Sequence, residues 1–175
     1  MFHVKHFNIP DEKIKRIEEY VSELLRWNRR INLIGRDDED WVWDFLVYPI
    51  CLLSLKIRTG TLLDLGAGSG VGGFVLKIIN EELNVTMAER REKKCVFLRH
   101  IKTKLGIDVD IYCGDVREGD FTGFDYLLLR GVRLQPWHKG IARYIIYFGD
   151  IKGEWRIKEV IKWEKGKIRI IEGIE

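Results

Sequence analysis

The stretch Leu62-Leu63-Asp64-Leu65-Gly66-Ala67-Gly68-Ser69-Gly70 limits the fold more than any other part of the chain. A short apolar run delivers an acid two residues before the first of three alternating glycines. The run reads as a buried strand, and the glycines as a loop leading into a helix over Gly72–Asn80. Open α/β sheets bind ligands at the carboxyl ends of their strands, where the strand order reverses. Glycine at that point removes the Cβ and lets backbone N–H groups approach a ligand.

The rest of the chain continues the alternation. Strands are expected at Asn84–Ala88, Val109–Cys113, Asp125–Leu129 and Arg143–Phe148, with a helix over Lys93–Leu105 that Gly106 stops. This order predicts a right-handed, parallel α/β sheet of the Rossmann-like kind. Gly131–Ala142 is short for a crossover, so the fourth helix is expected to be stunted. The alternating tail Trp155–Ile171 fits a closing antiparallel hairpin. Ahead of the sheet, Ile14, Ile17, Val21, Leu24, Leu25 and Asn28 recur at helical spacing and predict an amphipathic helix over 11–30. Trp41–Leu55 suits a second helix, bent or divided by Pro49, and Gly60 closes this portion. The expected organisation is a helical extension over 1–58 packed on a sheet domain over 59–175, as one compact unit.

Of 175 residues, 46% are hydrophobic and 33% charged, a balance that can bury a core and excludes a disordered chain. No apolar run approaches the roughly 20 residues of a membrane helix, and 1–11 lacks a signal-peptide core. The expectation is a cytoplasmic protein, without membrane association. Cys51, Cys95 and Cys113 are too few and too scattered for a disulfide framework or a zinc cage, so they are expected to be reduced and no metal is expected. Cys51 reads as a core thiol. His3 and His6 stand alone near the terminus. The net charge of +3 is small, but 90–104 carries seven Lys/Arg against one acid. Such a local field attracts polyanions, unless it is simply a solvated helix face.

The glycine loop also contains Gly68-x-Gly70-x-x-Gly73, a dinucleotide fingerprint that is weak on its own. Two features favour S-adenosylmethionine instead. Asp64 is placed to receive a cationic amino acid end rather than a pyrophosphate. Glu89 ends the second strand, where it can accept two ribose hydroxyls, and Asp115 follows the third, where it can hold an adenine amino group. The alternative is that Glu89 and Asp115 are surface loop acids.

Four phrases, in order, resemble the RsmG/GidB family of small-subunit (16S) ribosomal RNA guanine-N7 methyltransferases. They are LLRWNRRINLIG (24–35), LLDLGAGSGVGG (62–73), AERREKKCVFL (88–98) and FDYLLLRGV (124–132). The chain departs from the family's pattern at Gly70-Val71-Gly72-Gly73, where a Gly-Phe-Pro-Gly phrase is usual, and in WVWDFLVYPICLL, where an Arg-His and Asp-Ser pair is not recognisable. The resemblance implies a class I S-adenosyl-L-methionine-dependent methyltransferase, acting on ribosomal RNA or the small subunit as a monomer. It places cofactor contacts at Gly66, Val71, Val116, Arg117 and Arg130. With the residue-level reading, the expected cofactor set also includes Asp64, Ala67, Gly68, Gly70, Glu89, Arg90 and Asp115. Arg91, Lys93 and Lys94 are expected to touch RNA.

Methyl transfer to guanine N7 uses an in-plane lone pair that is unprotonated at neutral pH, so no general base is required. Positioning then supplies most of the acceleration, up to about 7–11 kcal/mol in favourable intramolecular cases. Arg130 is the candidate catalytic residue, facing a cofactor carboxylate, an RNA phosphate or guanine O6; otherwise it caps a strand end on the surface. Trp27 and Asn28 are expected to lock the N-terminal helix to the sheet. Trp41 and Trp43 are too close to share a helical face, which leaves one to stack on RNA. Two rival functions stand beside this reading. One is an NAD-dependent oxidoreductase using Gly68, Gly70 and Gly73; the other is a non-catalytic RNA-binding module that keeps the cofactor pocket.

Overall fold

A computed structural model describes residues 7–173; His3 and His6 lie outside them. Helix α1 spans Asp11–Ile31, with Asp11 and Glu12 in its first turn and Arg29 and Arg30 in its last. Each sign sits where the helix dipole favours it. Ile17, Tyr20, Val21 and Leu24 form its buried face. Asn32 ends the helix in the left-handed region at φ 50. Asn28 then accepts the Ile34 N–H at 2.8 Å and fixes the turn that follows.

The second helical segment is continuous but irregular. Helix α2 (Glu39–Trp41), capped by Asp38, runs through a π-helical stretch at Val42–Val47 into α3 (Tyr48–Ser54). The change falls just ahead of Pro49, which has no N–H for the carbonyl one turn back. Pro49 therefore divides the segment without ending it. Trp43 is buried, whereas Trp41 is half-exposed, stacks on Phe45 and lies beneath Arg36.

The sheet begins at β1 (Gly60–Leu65), and Gly60 opens this strand. It is followed by α4 (Val71–Ile79), β2 (Leu83–Glu89), α5 (Glu92–Leu105), β3 (Asp110–Cys113), β4 (Phe124–Leu129) and β5 (Ala142–Tyr147). The hairpin β6 (Ile157–Trp163) and β7 (Gly166–Glu172) completes it. The strand order is β3-β2-β1-β4-β5-β7-β6. β1 to β5 pair in parallel, β7 joins β5 antiparallel, and β6 pairs antiparallel with β7. Order reverses between β1 and β4, so the switch point lies at the end of Asp64-Leu65.

Alternate residues of each strand feed two cores. Leu62, Val85, Met87, Leu128 and Ile146 pack beneath α1, α3, α4 and α5. Leu63, Leu65, Leu127, Leu129 and Ile145 face the other way. That second face is crossed by 3-10 turns at Val116–Glu118 and Pro136–Gly140 instead of helices. The short β4–β5 connection leaves room for nothing longer. Trp27 secures α1 not to a strand but to α5, against the rings of Phe97 and His100. Beside it, buried Glu23 bonds Arg26, His100 and Lys104. Among the described residues, no helix is long and apolar enough to cross a membrane.

Candidate functional site

The carboxyl ends of β1, β2 and β4 open onto a cavity of about 1320 Å³, lined by the glycine loop and by Glu89, Asp115 and Arg130. The loop is tied down on its inner side. Gly66 and Ala67 donate their amides to Ala88 O at 2.8 and 3.0 Å, and the Tyr20 hydroxyl of α1 donates to Ser69 O at 2.9 Å. Gly68 adopts φ +61, and a Cβ there would meet no atom closer than 3.6 Å among the described residues beyond its two chain neighbours. Its missing side chain leaves space in the cavity, not space that the protein fills. Gly66 behaves differently, because a Cβ there would lie 2.6 Å from the Val132 side chain. At Gly70 the space belongs to Phe74 and Leu98. Val71 starts α4 and is buried at the cavity wall.

Two buried carboxylates anchor the loop from below. Asp64 Oδ2 accepts the Gly73 amide at 2.9 Å across the start of α4. Burial pushes its carboxyl up to about 7, opposed by the Gly73 hydrogen bond and the charge of Arg130. Glu89 Oε2 accepts the Gly68 amide and its Oε1 the Arg91 amide, both at 2.9 Å. Glu89 is buried, not a surface loop acid.

Asp115 caps the 3-10 turn that follows β3. It accepts the Arg117 backbone amide at 3.0 Å, and its two oxygens take Arg117 Nε and Nη2 at 3.0 and 2.5 Å. These bonds hold its carboxyl well below the usual range. Val116 beside it is buried and lines the cavity. Arg90 approaches Asp115 to 3.9 Å.

Arg130 is not a surface residue capping a strand. Its Nη1 donates to Leu46 O at 2.9 Å and its Nη2 to Phe45 O, while the guanidinium lies 5.1 Å from the Phe148 ring centre. The Phe45 carbonyl lies one turn before Pro49, so Arg130 supplies a donor that proline lacks. Burial lowers its pKa to about 10, which leaves it charged at neutral pH. The side chain thus holds the helical extension over the strand ends while facing the cavity.

The basic segment divides by position. Lys94 borders the cavity, with Nζ 3.7 Å from the place a Gly68 Cβ would occupy. Arg90 and Arg91 stand at its exposed rim, and Lys93 is exposed outside it. Three groups carry no signal in the sequence. Lys165, Lys167 and Arg169 of the hairpin line the same cavity; their strands read only as a closing hairpin. His138 lines it too. Its Nδ1 accepts the Gln135 amide at 3.0 Å, its Nε2 has no hydrogen-bond partner among the described residues, and burial lowers its pKa to about 4, keeping the ring neutral. No local motif announces such a histidine.

The third group corrects an expectation. Cys95 and Cys113 are not scattered thiols but a disulfide, with Cα atoms 6.0 Å apart. They are 18 residues apart in sequence, yet α5 returns alongside β3 and sets its first turn against the strand end. Cys51 is the free, buried thiol expected. The ligand atoms of Glu92, Cys95 and Cys113 lie within 4.8 Å of one another, a grouping that sequence spacing concealed.

The parallel sheet with its switch between β1 and β4 and its closing antiparallel strands is the class I methyltransferase fold. A solved structure of an MtNAS mutant in complex with S-adenosylmethionine superposes with a TM-score of 0.62 at 17% identity, covering 95% of this chain and 77% of that one. Over residues 13–168 the chain matches the family model described as rRNA small subunit methyltransferase G, and it belongs to that family. The chain is 35% identical over 115 residues to a ribosomal RNA small subunit methyltransferase G of Magnetococcus marinus, covering 65% of this chain and 51% of that protein. The protein of the same name from Alkaliphilus metalliredigens is 32% identical over 183 aligned positions, covering 95% and 75%. The chain spans about half the length of the first curated relatives it matches.

Proposed function

We propose that this chain is a cytoplasmic, monomeric S-adenosylmethionine-dependent methyltransferase acting on RNA of the small ribosomal subunit, at N7 of a guanine. One observation carries the cofactor reading: buried Asp64 and Glu89, at the ends of adjacent strands, flank a Gly68 whose absent side chain leaves the cavity open. The residues fit the group. Asp64 would offer a carboxylate to the ammonium, Glu89 has lone pairs left that would accept the ribose hydroxyls, and Asp115, at the same cavity, would hold the adenine amino group. When bound, S-adenosylmethionine supplies an electrophilic methyl group. Gly68 admits the ligand, Arg130 keeps the π-helical stretch at Val42–Val47 seated over the strand ends, and the rim of Arg90, Arg91 and Lys94 draws the phosphate backbone. Because guanine N7 carries its own lone pair, these residues orient and need not remove a proton.

The nicotinamide reading is disfavoured by Asp64, since a pyrophosphate would meet a buried carboxylate at the loop. Calorimetry with S-adenosylhomocysteine against NAD separates the two, and saturable binding of NAD alone would reverse the assignment. Transfer of radiolabelled methyl groups to small-subunit RNA, followed by mass mapping, tests the reaction. A chain that binds S-adenosylhomocysteine but methylates neither naked RNA nor assembled subunits would be the non-catalytic module instead.

A further inference from the structure

We propose that Cys95 and Cys113 form a thiol–disulfide exchange site for small-molecule disulfides of the glutathione class, whose oxidation tightens the cofactor edge of the cavity. The two sulfurs differ in access. Cys95 is fully buried, whereas Cys113, at the end of β3, is partly exposed. Arg99 Nη2 lies 3.0 Å from Cys113 Sγ. A guanidinium there favours the thiolate, the form that attacks a disulfide. It also disfavours a cation held by Glu92, Cys95 and Cys113, because Arg99 already bonds Glu92 at 3.1 Å.

The exchange runs in two balanced steps. The Cys113 thiolate attacks one sulfur of R–S–S–R, forming Cys113–S–S–R and releasing RS⁻. The Cys95 thiolate then attacks the Cys113 sulfur and expels the second RS⁻. The two thiol protons end on the released RSH molecules. Two electrons pass from the cysteine pair to the small disulfide.

The pair is connected to Glu89 through the backbone. Cys113 stands opposite Glu89 in the β2–β3 register. Glu89 O accepts the Gly114 amide at 3.0 Å, and the Cys95 sulfur lies 3.3 Å from the same oxygen. The disulfide therefore staples the first turn of α5 to the strand end from which Asp115 and Val116 project. Reduction frees both walls beside Glu89. This second half rests on the cofactor reading above; the exchange itself does not.

The test uses the full chain equilibrated with oxidised or reduced glutathione, then denatured, alkylated and weighed intact. The expected result is one alkyl group on the oxidised chain, at Cys51, and three on the reduced chain. The Kd for S-adenosylhomocysteine should be at least threefold lower in the oxidised form. Cys113→Ser should show the reduced affinity under both conditions, and Cys51→Ala should keep the response. Three alkyl groups under both conditions overturn the exchange site, and so does loss of two of the three free thiols, those of Cys95 and Cys113, on adding one equivalent of zinc to reduced protein. Equal Kd values across a verified change in thiol count overturn the coupling. If S-adenosylhomocysteine binds neither form, the cofactor reading falls with the coupling, and the alkyl count alone decides the exchange.

Discussion

The Asp64 carboxylate accepts the Gly73 amide at 2.9 Å, so the end of β1 and the first turn of α4 share one buried proton-binding group. Burial raises its pKa from the ordinary 3.8 to about 7. The native state therefore binds a proton that the unfolded chain has already lost, and the contribution of Asp64 to stability falls as pH rises from about 4 through 7. Asp64→Asn keeps an oxygen for Gly73 and removes the charge. Its Tm relative to wild type should be higher at pH 8 than at pH 5, each kcal/mol giving about 2–4 °C at this size. S-adenosylhomocysteine affinity should fall at least tenfold. A Tm difference that does not change with pH would refute the raised pKa.

Two nearby glycines, Gly68 in the loop and Gly72 in the first turn of α4, should fail in different ways. Gly68→Ala adds a side chain to open cavity at φ +61, so the cost to the fold is only the strained backbone, about 1–2 kcal/mol. Cofactor affinity should drop sharply while the circular dichroism spectrum stays native. Gly72→Ala pushes a Cβ into Leu128 and within 3.0 Å of Asp64. Overpacking there should destabilise by about 1–3 kcal/mol, seen as a lower urea midpoint. Equal loss of stability in the two variants would mean that Gly68 does not face open space.

The sheet was legible because short apolar runs, the alternating tail and glycine stops are local signals, and each strand expected from sequence lies within about two residues of its observed ends. The glycine loop and the acids at 64, 89 and 115 were legible for the same reason. What sequence concealed is long-range. Arg130 meets Phe45 and Leu46 from 85 and 84 residues away, answering the carbonyl that Pro49 leaves open. Cys95 finds Cys113 only once α5 has folded back along β3. His138 has no pattern around it, because its neutral state is set by burial. Pairings of this kind depend on topology, which local periodicity does not encode.

The charged clamp between α1 and α5 should stabilise the helical extension in a pH-dependent way. Burial works to raise the Glu23 pKa, but hydrogen bonds from Lys104, His100 and Arg26 outweigh it and hold the carboxyl at about 2. Its stabilisation is present above the unfolded value of 4.5 and is lost as pH falls through about 2. Glu23→Gln should cost about 1–3 kcal/mol at pH 7, since three donors lose a charged acceptor. The gap from wild type should narrow in denaturation curves recorded below pH 4. A constant gap down to pH 2 would mean that packing, not charge, holds the two helices.

Cofactor and RNA binding should be separable at the cavity rim. Lys94 sits beside Gly68, so its reversal would disturb both ligands and cannot isolate either. Lys93, exposed on the same turn outside the cavity, and Arg133, at its edge after β4, are better probes. The double variant Lys93→Glu with Arg133→Glu should leave S-adenosylhomocysteine affinity within twofold of wild type. RNA affinity should fall, and the slope of log affinity against log salt should flatten by about 0.7–0.9 for each phosphate that is no longer neutralised. The physical cause is counterion release, which a solvated face that never meets RNA cannot contribute. If filter binding at several salt concentrations gives the same slope for both proteins, the RNA backbone does not cross this rim.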